Sequence, residues 1–139
     1  MTAAQLADIE AIKRLKARYF RLMDTKRWQE WGEVFTEDGR LQWGPGADEV
    51  AEGRDTIVRI VSRVLKDAVS CHYGHMPEIE LIDAENAKGV WAMIDLVDHP
   101  DWVLRGFGHY HEEYMKQGGQ WRIHRTQLTR LREERTPKR

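Results

Sequence analysis

The spacing of apolar residues changes period once along this chain, near Ser70, and no other feature limits the fold as strongly. Before that point Leu6, Ile9, Ile12, Leu15, Tyr19 and Leu22/Met23 recur at three- and four-residue intervals, the stripe of one long amphipathic helix. Thr2, with Gln5 three positions on, reads as its capping box. Trp28, Trp31, Val34 and Phe35 predict a second, short helix from Lys26, ended by "TEDG", with "RLQW" a short strand before the turn "GPG". "EGRDTIVRIVSRVLKD" is a third helix, its stripe being Ile57, Ile60, Val61, Val64 and Leu65. After Ser70, "EIELID", "KGVWAMIDLV", "WVLRGFGHYHEEYMK" and "WRIHRTQLTRL" read as strands joined by turns at "AEN", "DHPD" and "QGGQ". Helices first and a meander afterwards predict an α+β domain, an antiparallel sheet with helices on one face. A curved sheet wrapped around the first helix encloses an apolar cavity.

With 139 residues the chain has room for one domain with a real core. We read residues 1–132 as that domain and the charged run 133–139 as a solvated C-terminal tail. Lys+Arg 22 against Asp+Glu 23 gives a formal net charge of -1, without the basic excess that nucleic-acid binding leaves. One cysteine allows no internal disulfide, and no cysteine spacing suggests zinc. The N-terminus is too charged for a signal peptide and no apolar run is long enough for a membrane span, so a soluble, cytoplasmic protein is expected. Six Trp, four Tyr and five Met are more than a core of this size needs, and part of that total is available to line a pocket.

The run "SCHYGHMPEI" carries the most concentrated chemistry. Cys71 and His72 are strand neighbours pointing to opposite faces, so they do not form a nucleophile pair, and a buried, inert thiol is expected. His72 and His75 fall on opposite faces too. His109 and His111 share a face and, with His124, have better metal geometry, but no carboxylate–histidine helix motif accompanies them. A different arrangement uses Asp24, at the end of the first helix. It is either an N-cap for the next helix or a functional carboxylate; paired with His72, it fixes the imidazole tautomer and leaves Nε2 free to take a proton.

"IKRLKARYFRLMDTKRWQEWGEVFTEDGRLQW", "EGRDTI", "CHYGHMPEIEL" and "GQWRIHR" together resemble the SnoaL-like, nuclear-transport-factor-2-like superfamily over residues 5 to 131. The pattern is most similar to the branch containing scytalone dehydratase, hexachlorocyclohexane dehydrochlorinase and bile-acid 7-alpha-dehydratase. The resemblance implies a cone-shaped α+β barrel, a strongly curved sheet packed on three helices around an apolar pocket, with no metal and no organic cofactor. It implies Asp24 and His72 as a catalytic dyad, with Tyr19 as a phenol that polarises a carbonyl or protonates a leaving hydroxyl, or else as a core aromatic. It also puts Leu41, Trp43, Met93, Asp95, Tyr110 and Thr126 on the pocket side as substrate-binding residues, with Gly106 and Gly108 leaving room for a bulky ligand. Tyrosines of the scytalone enzyme are replaced by Met23 and Trp43, and the dehydrochlorinase's lysine by Tyr19, so neither substrate carries over.

The function so implied is a cofactor-independent, dehydratase-like lyase acting on a hydrophobic cyclic molecule, aromatic or steroid-like, by proton abstraction from carbon. An isomerase, a non-catalytic small-ligand-binding protein and an accessory subunit of an oxygenase are the alternatives. The resemblance also implies a homo-oligomer, a trimer before a dimer, with His109, His111, Trp102 and Trp121 on the outward, interface-forming face. No nucleic-acid or membrane partner is expected.

Overall fold

The computed structural model describes all residues 1–139. Helix α1 (Ala3–Asp24) begins at the expected capping box: Thr2 Oγ1 accepts the Gln5 amide at 3.1 Å, and Gln5 Oε1 accepts the Thr2 amide at 2.8 Å. Its buried stripe is Ile12, Leu15, Lys16, Tyr19, Leu22 and Met23. The helix closes in a Schellman motif, with the Arg27 amide on the Leu22 carbonyl (2.8 Å) and the Lys26 amide on the Met23 carbonyl (3.0 Å). Lys26 takes the left-handed conformation that this motif requires (φ 60°), a position usually left to glycine. Its side chain gives the reason for a lysine, since Nζ reaches the Ala68 carbonyl at 2.5 Å and ties the helix end to the strand that follows.

Helix α2 (Trp28–Gly32) is shorter than the aromatic spacing suggests, because Phe35 already belongs to strand β1 (Phe35–Gln42). A three-residue strand the sequence reading did not anticipate, β2 (Val50–Glu52), precedes α3 (Arg54–Leu65). Strands β3 (Val69–Leu81), β4 (Asn86–Asp98), β5 (Trp102–Gln117) and β6 (Gln120–Pro137) complete the chain. At the β5–β6 turn Gly118 (φ 58°) and Gly119 (φ 78°) both occupy the left-handed region that a two-residue hairpin turn needs.

The six strands form one open sheet in the order β2-β1-β6-β5-β4-β3. The fold class is the expected α+β cone, three helices packed on a curved sheet. The sheet is mixed, however, because β1 pairs parallel with β6 while every other neighbour is antiparallel. The direction of that pair is set by where α1 and α2 deliver β1, and no local pattern encodes it.

The C-terminal run from residue 133 is a correction to the sequence reading. Glu133 to Pro137 are the last rungs of β6, pairing with Gly106 back to Trp102. Residues 102–105 of β5 need a neighbour on that side, and the alternating charges suit a ribbon exposed to water. Arg105 and Glu134 approach to 3.8 Å, and the Arg135 guanidinium covers the Trp102 ring at 4.3 Å. Trp121 also differs from expectation: it is buried, donating its indole N–H to Asp8 at 3.0 Å, and does not share the outward face with His109 and His111. No helix is long and apolar enough to cross a membrane.

Candidate active site

The Schellman closure leaves Asp24 as the last residue of α1, facing the opening of β3. Alternation along β3 turns Ser70 and His72 to the same, inner face. Three donors converge on the Asp24 carboxylate. His72 Nδ1 meets Oδ1 at 2.7 Å, the His72 backbone N–H meets Oδ2 at 2.7 Å, and Ser70 Oγ donates to Oδ1 at 2.9 Å. With Asp24 ionised, Nδ1 carries the hydrogen it donates, and Nε2 is the lone-pair nitrogen, making no bond to the protein. The pair is partly shielded, the side chains of His72 and Asp24 being 10% and 20% exposed. Each oxygen of the carboxylate has a protein partner.

His72 opens onto a cavity of about 180 Å³ between α1, α3 and the sheet, ten of whose thirteen lining residues are hydrophobic. Met23, Ile60, Val61, Val64 and Leu65 form its helical walls, and Leu41, Trp43 and Leu128 its sheet walls. The other three are His72, Asp95 and Arg130, and Tyr19 and Tyr110, the remaining two of the ten, add their hydroxyls to the polar groups. Larger grooves on the outer surface, such as the one of about 670 Å³ beside Arg40, Glu78, Lys88 and Arg125, are lined mostly by charged groups and hold no comparable acid–base pair.

Asp95 faces His72 across β3 and β4 and is nearly inaccessible. A buried carboxylate needs a partner, and Arg130 supplies a two-point one, Nη1 to Oδ1 at 2.6 Å and Nη2 to Oδ2 at 3.0 Å. The partners sit on β4 and β6 and meet over the intervening β5 at Gly106. A Cβ there would stand 1.8 Å from Arg130 Nη1 and 2.0 Å from Asp95 Oδ1, so only glycine admits the bridge. The expectation that Gly106 and Gly108 leave room for ligand is thereby corrected: the Asp95–Arg130 pair fills the first gap, and the Thr129 carbonyl, 1.9 Å from a Cβ at 108, fills the second. Burial works against the Arg130 charge, but Asp95 outweighs it and holds the guanidinium above its ordinary pKa.

Of the residues named from sequence, Asp24, His72, Tyr19, Leu41, Trp43, Asp95 and Tyr110 come together here. Met93 and Thr126 do not reach the cavity. Met93 is packed into the core, and the Thr126 hydroxyl is donated to Glu112 Oε2 at 2.6 Å. Both face inward as expected, but on rungs that lie under other side chains. Ser70 and Arg130 were missed, although the Ser70-x-His72 spacing already put a hydroxyl on the histidine's face. His75 is exposed, and Cys71 is half-buried with no histidine partner. The three-histidine set is not gathered: His124 Nδ1 lies 2.9 Å from Thr36 Oγ1, and His111 Nε2 lies 2.9 Å from Thr129 Oγ1 on the outer face.

Residues 4–127 match the SnoaL-like domain family. The chain belongs to that family. Among solved structures, a candidate scytalone dehydratase from Novosphingobium aromaticivorans is 20% identical and superposes with a TM-score of 0.88, over 96% of this chain and 91% of that one. A type 2 hexachlorocyclohexane dehydrochlorinase is 17% identical with a TM-score of 0.79, covering 98% and 92%. A Mycobacterium tuberculosis protein of unknown function is 27% identical with a TM-score of 0.81, covering 92% and 74%. The first two of these share the fold of this chain, and at 20% and 17% identity the likeness is one of fold.

Proposed function

We propose that this SnoaL-like protein is a cofactor-independent lyase that eliminates water, or a comparable leaving group, from a hydrophobic cyclic substrate. The single observation that carries the reading is the Asp24–His72 contact of 2.7 Å with Nε2 left free at the wall of an apolar cavity. Nε2 takes a proton from carbon, and Asp24 orients the ring and balances the imidazolium charge. In a β-hydroxy carbonyl substrate the C–H electron pair first enters an enolate, and as that enolate collapses the carbon–carbon double bond forms and the C–O bond breaks. The proton on the imidazolium leaves with the hydroxide as water, so the site returns to its starting state. Positioned proton transfer of this kind contributes 10²–10⁴-fold, or about 3–5 kcal/mol, which requires a C–H bond already acidified by a carbonyl.

Ser70 holds the Asp24 carboxylate from the side opposite the backbone amide, and Tyr19 and Tyr110 offer phenol donors to a substrate oxygen. Leu41 and Trp43 supply apolar contact, and Asp95 with Arg130 forms the charged corner beside His72. A cavity of about 180 Å³ suits one or two fused rings and is small for a steroid.

The test is a panel of cyclic β-hydroxy ketones incubated in D2O and followed by NMR for loss of the hydroxyl or deuterium wash-in beside the carbonyl. Both signals are expected with the wild type and neither with His72→Ala. Wash-in that survives His72→Ala, or ligand binding with no exchange in any panel member, would sink the base and leave a binding protein. Self-association through the outward face of β5 belongs to the same reading, and sedimentation velocity at micromolar concentration reads it directly.

A further inference from the structure

Lys16 is the one charged residue on the buried stripe of α1, and none of its side chain is exposed. Its ammonium donates to Glu112 Oε2 at 2.7 Å, and Glu112 also accepts Tyr114 Oη at 2.7 Å and Thr126 Oγ1 at 2.6 Å. Apolar side chains of similar volume usually stabilise a core as well as or better than a buried ion pair. The placement of this one gives it a second use. The ammonium lies in the corner where two rings meet edge to face, 3.6 Å from the Tyr19 centroid and 3.7 Å from the Tyr110 centroid.

Both rings line the cavity beside His72, and the buried Tyr110 hydroxyl finds no acceptor among the protein's own atoms. Burial above all, with the carboxylates of Glu112 and Asp95 nearby, raises both phenols well above their ordinary pKa, so each keeps its proton and is available as a donor. A cation against the face of an aromatic ring is attracted to its π-density and fixes the ring's orientation. By drawing on that density it also makes the phenol O–H a stronger donor.

We propose that Lys16 is a positioning residue: backed by Glu112, it pins Tyr19 and Tyr110 by their faces and strengthens their hydroxyls as a paired donor set for a substrate oxygen that gains negative charge. The role rests on the proton abstraction proposed above and names its substrate class, a carbonyl compound reacting through an enolate. As His72 takes the proton, the C–H pair forms the enolate double bond and the carbonyl π pair moves onto oxygen, where the two hydroxyls meet it. When that pair returns, the leaving oxygen departs with the imidazolium's proton.

The experiment uses 4-nitrophenol, whose phenolate absorbs at longer wavelength than the phenol, as a one-ring probe of the donor set. Its absorbance is titrated against pH when bound to wild type, to the charge-balanced Lys16→Met/Glu112→Gln double variant and to Tyr110→Phe. The wild type is expected to bind the phenolate in preference, lowering the ionisation midpoint from its value in water. The double variant is expected to lose roughly tenfold of that preference, about one pH unit of midpoint. Tyr110→Phe deletes the unpartnered hydroxyl without touching the ion pair and is expected to lose a comparable share, which secures the test should the double variant fold poorly. A wild type indifferent to the probe's charge, or a midpoint unmoved in either variant, overturns the proposal, since a purely structural lysine shifts the melting temperature and not the midpoint. The two failures are separate: an unmoved midpoint removes the role of Lys16 whatever the turnover, and full turnover in Asp24→Asn removes the base whatever the midpoint.

Discussion

Asp24 and Glu112 are each held by three donors, and α1 contributes to both clusters, with its carboxylate in one and its Lys16 ammonium in the other. The first cluster lies at the cavity and the second behind it. Around Asp24, one ring nitrogen remains without a protein partner and the side chains keep a share of solvent exposure. Around Glu112, Lys16 is closed off completely, and the Trp91 indole donates to Tyr114 at 2.9 Å to complete the chain. The number of hydrogen bonds is therefore no guide to use. An open cluster has a group left to react, and a closed one can only hold its neighbours in place.

That contrast is broken most directly at the open end. Asp24→Asn and His72→Ala should each lower turnover 10²–10⁴-fold, measured by steady-state kinetics on the best panel substrate, while urea unfolding shifts little. The closed end should behave the opposite way. Lys16→Met alone leaves a buried carboxylate without its cation and should cost about 3–5 kcal/mol in urea unfolding, with much of that recovered when Glu112→Gln is added.

A pH series sharpens the same distinction. Burial lowers the Lys16 pKa to about 8, the attraction of Glu112 only partly offsetting it, against 10.5 when unfolded. Between those values the unfolded chain binds the extra proton, so stability rises with pH across that window and is flat below it. Relative to the Lys16→Met/Glu112→Gln variant, the wild type should gain up to roughly 3 kcal/mol between pH 8 and 10.5, read from paired urea curves.

Smaller effects test the borders of the open cluster. Gly106→Ala forces a methyl into the Asp95–Arg130 bridge and should cost about 1–3 kcal/mol in thermal melts, together with a fall in kcat. Ser70→Ala removes one of three donors to Asp24 and should cost about 1 kcal/mol, seen as a fall of up to tenfold in kcat with KM nearly unchanged.

The helices, their first cap and the hairpin turns were legible because each rests on neighbours in sequence: Thr2 with Gln5, the stripe from Ile12 to Met23, the glycine pair at 118 and 119. The parallel β1–β6 pair was not, since partners such as Leu41 and Thr126 are brought together only by the packed helices. Asp24 and His72 were named from family resemblance; their spacing by itself left the pairing open. Lys16 did leave a signal. It falls between Ile12 and Tyr19 on the apolar stripe, and a charge at such a position announces a buried partner. That partner, Glu112, lies 96 residues away and shows no periodicity of its own. Arg130 was hidden by the charged run that follows it, which reads as solvated from composition and is in fact strand.

Lys16, Tyr19, Met23 and Asp24 project from a single side of α1, and the turn of the helix sets their positions relative to one another. Each residue added or removed between 16 and 24 rotates everything beyond it by about 100°. A single insertion or deletion in that segment is therefore expected to dismantle the site, where a substitution alters only one of its groups. The β5–β6 turn at residues 117–120 bears no such restriction, and natural or engineered length variation is expected to collect there.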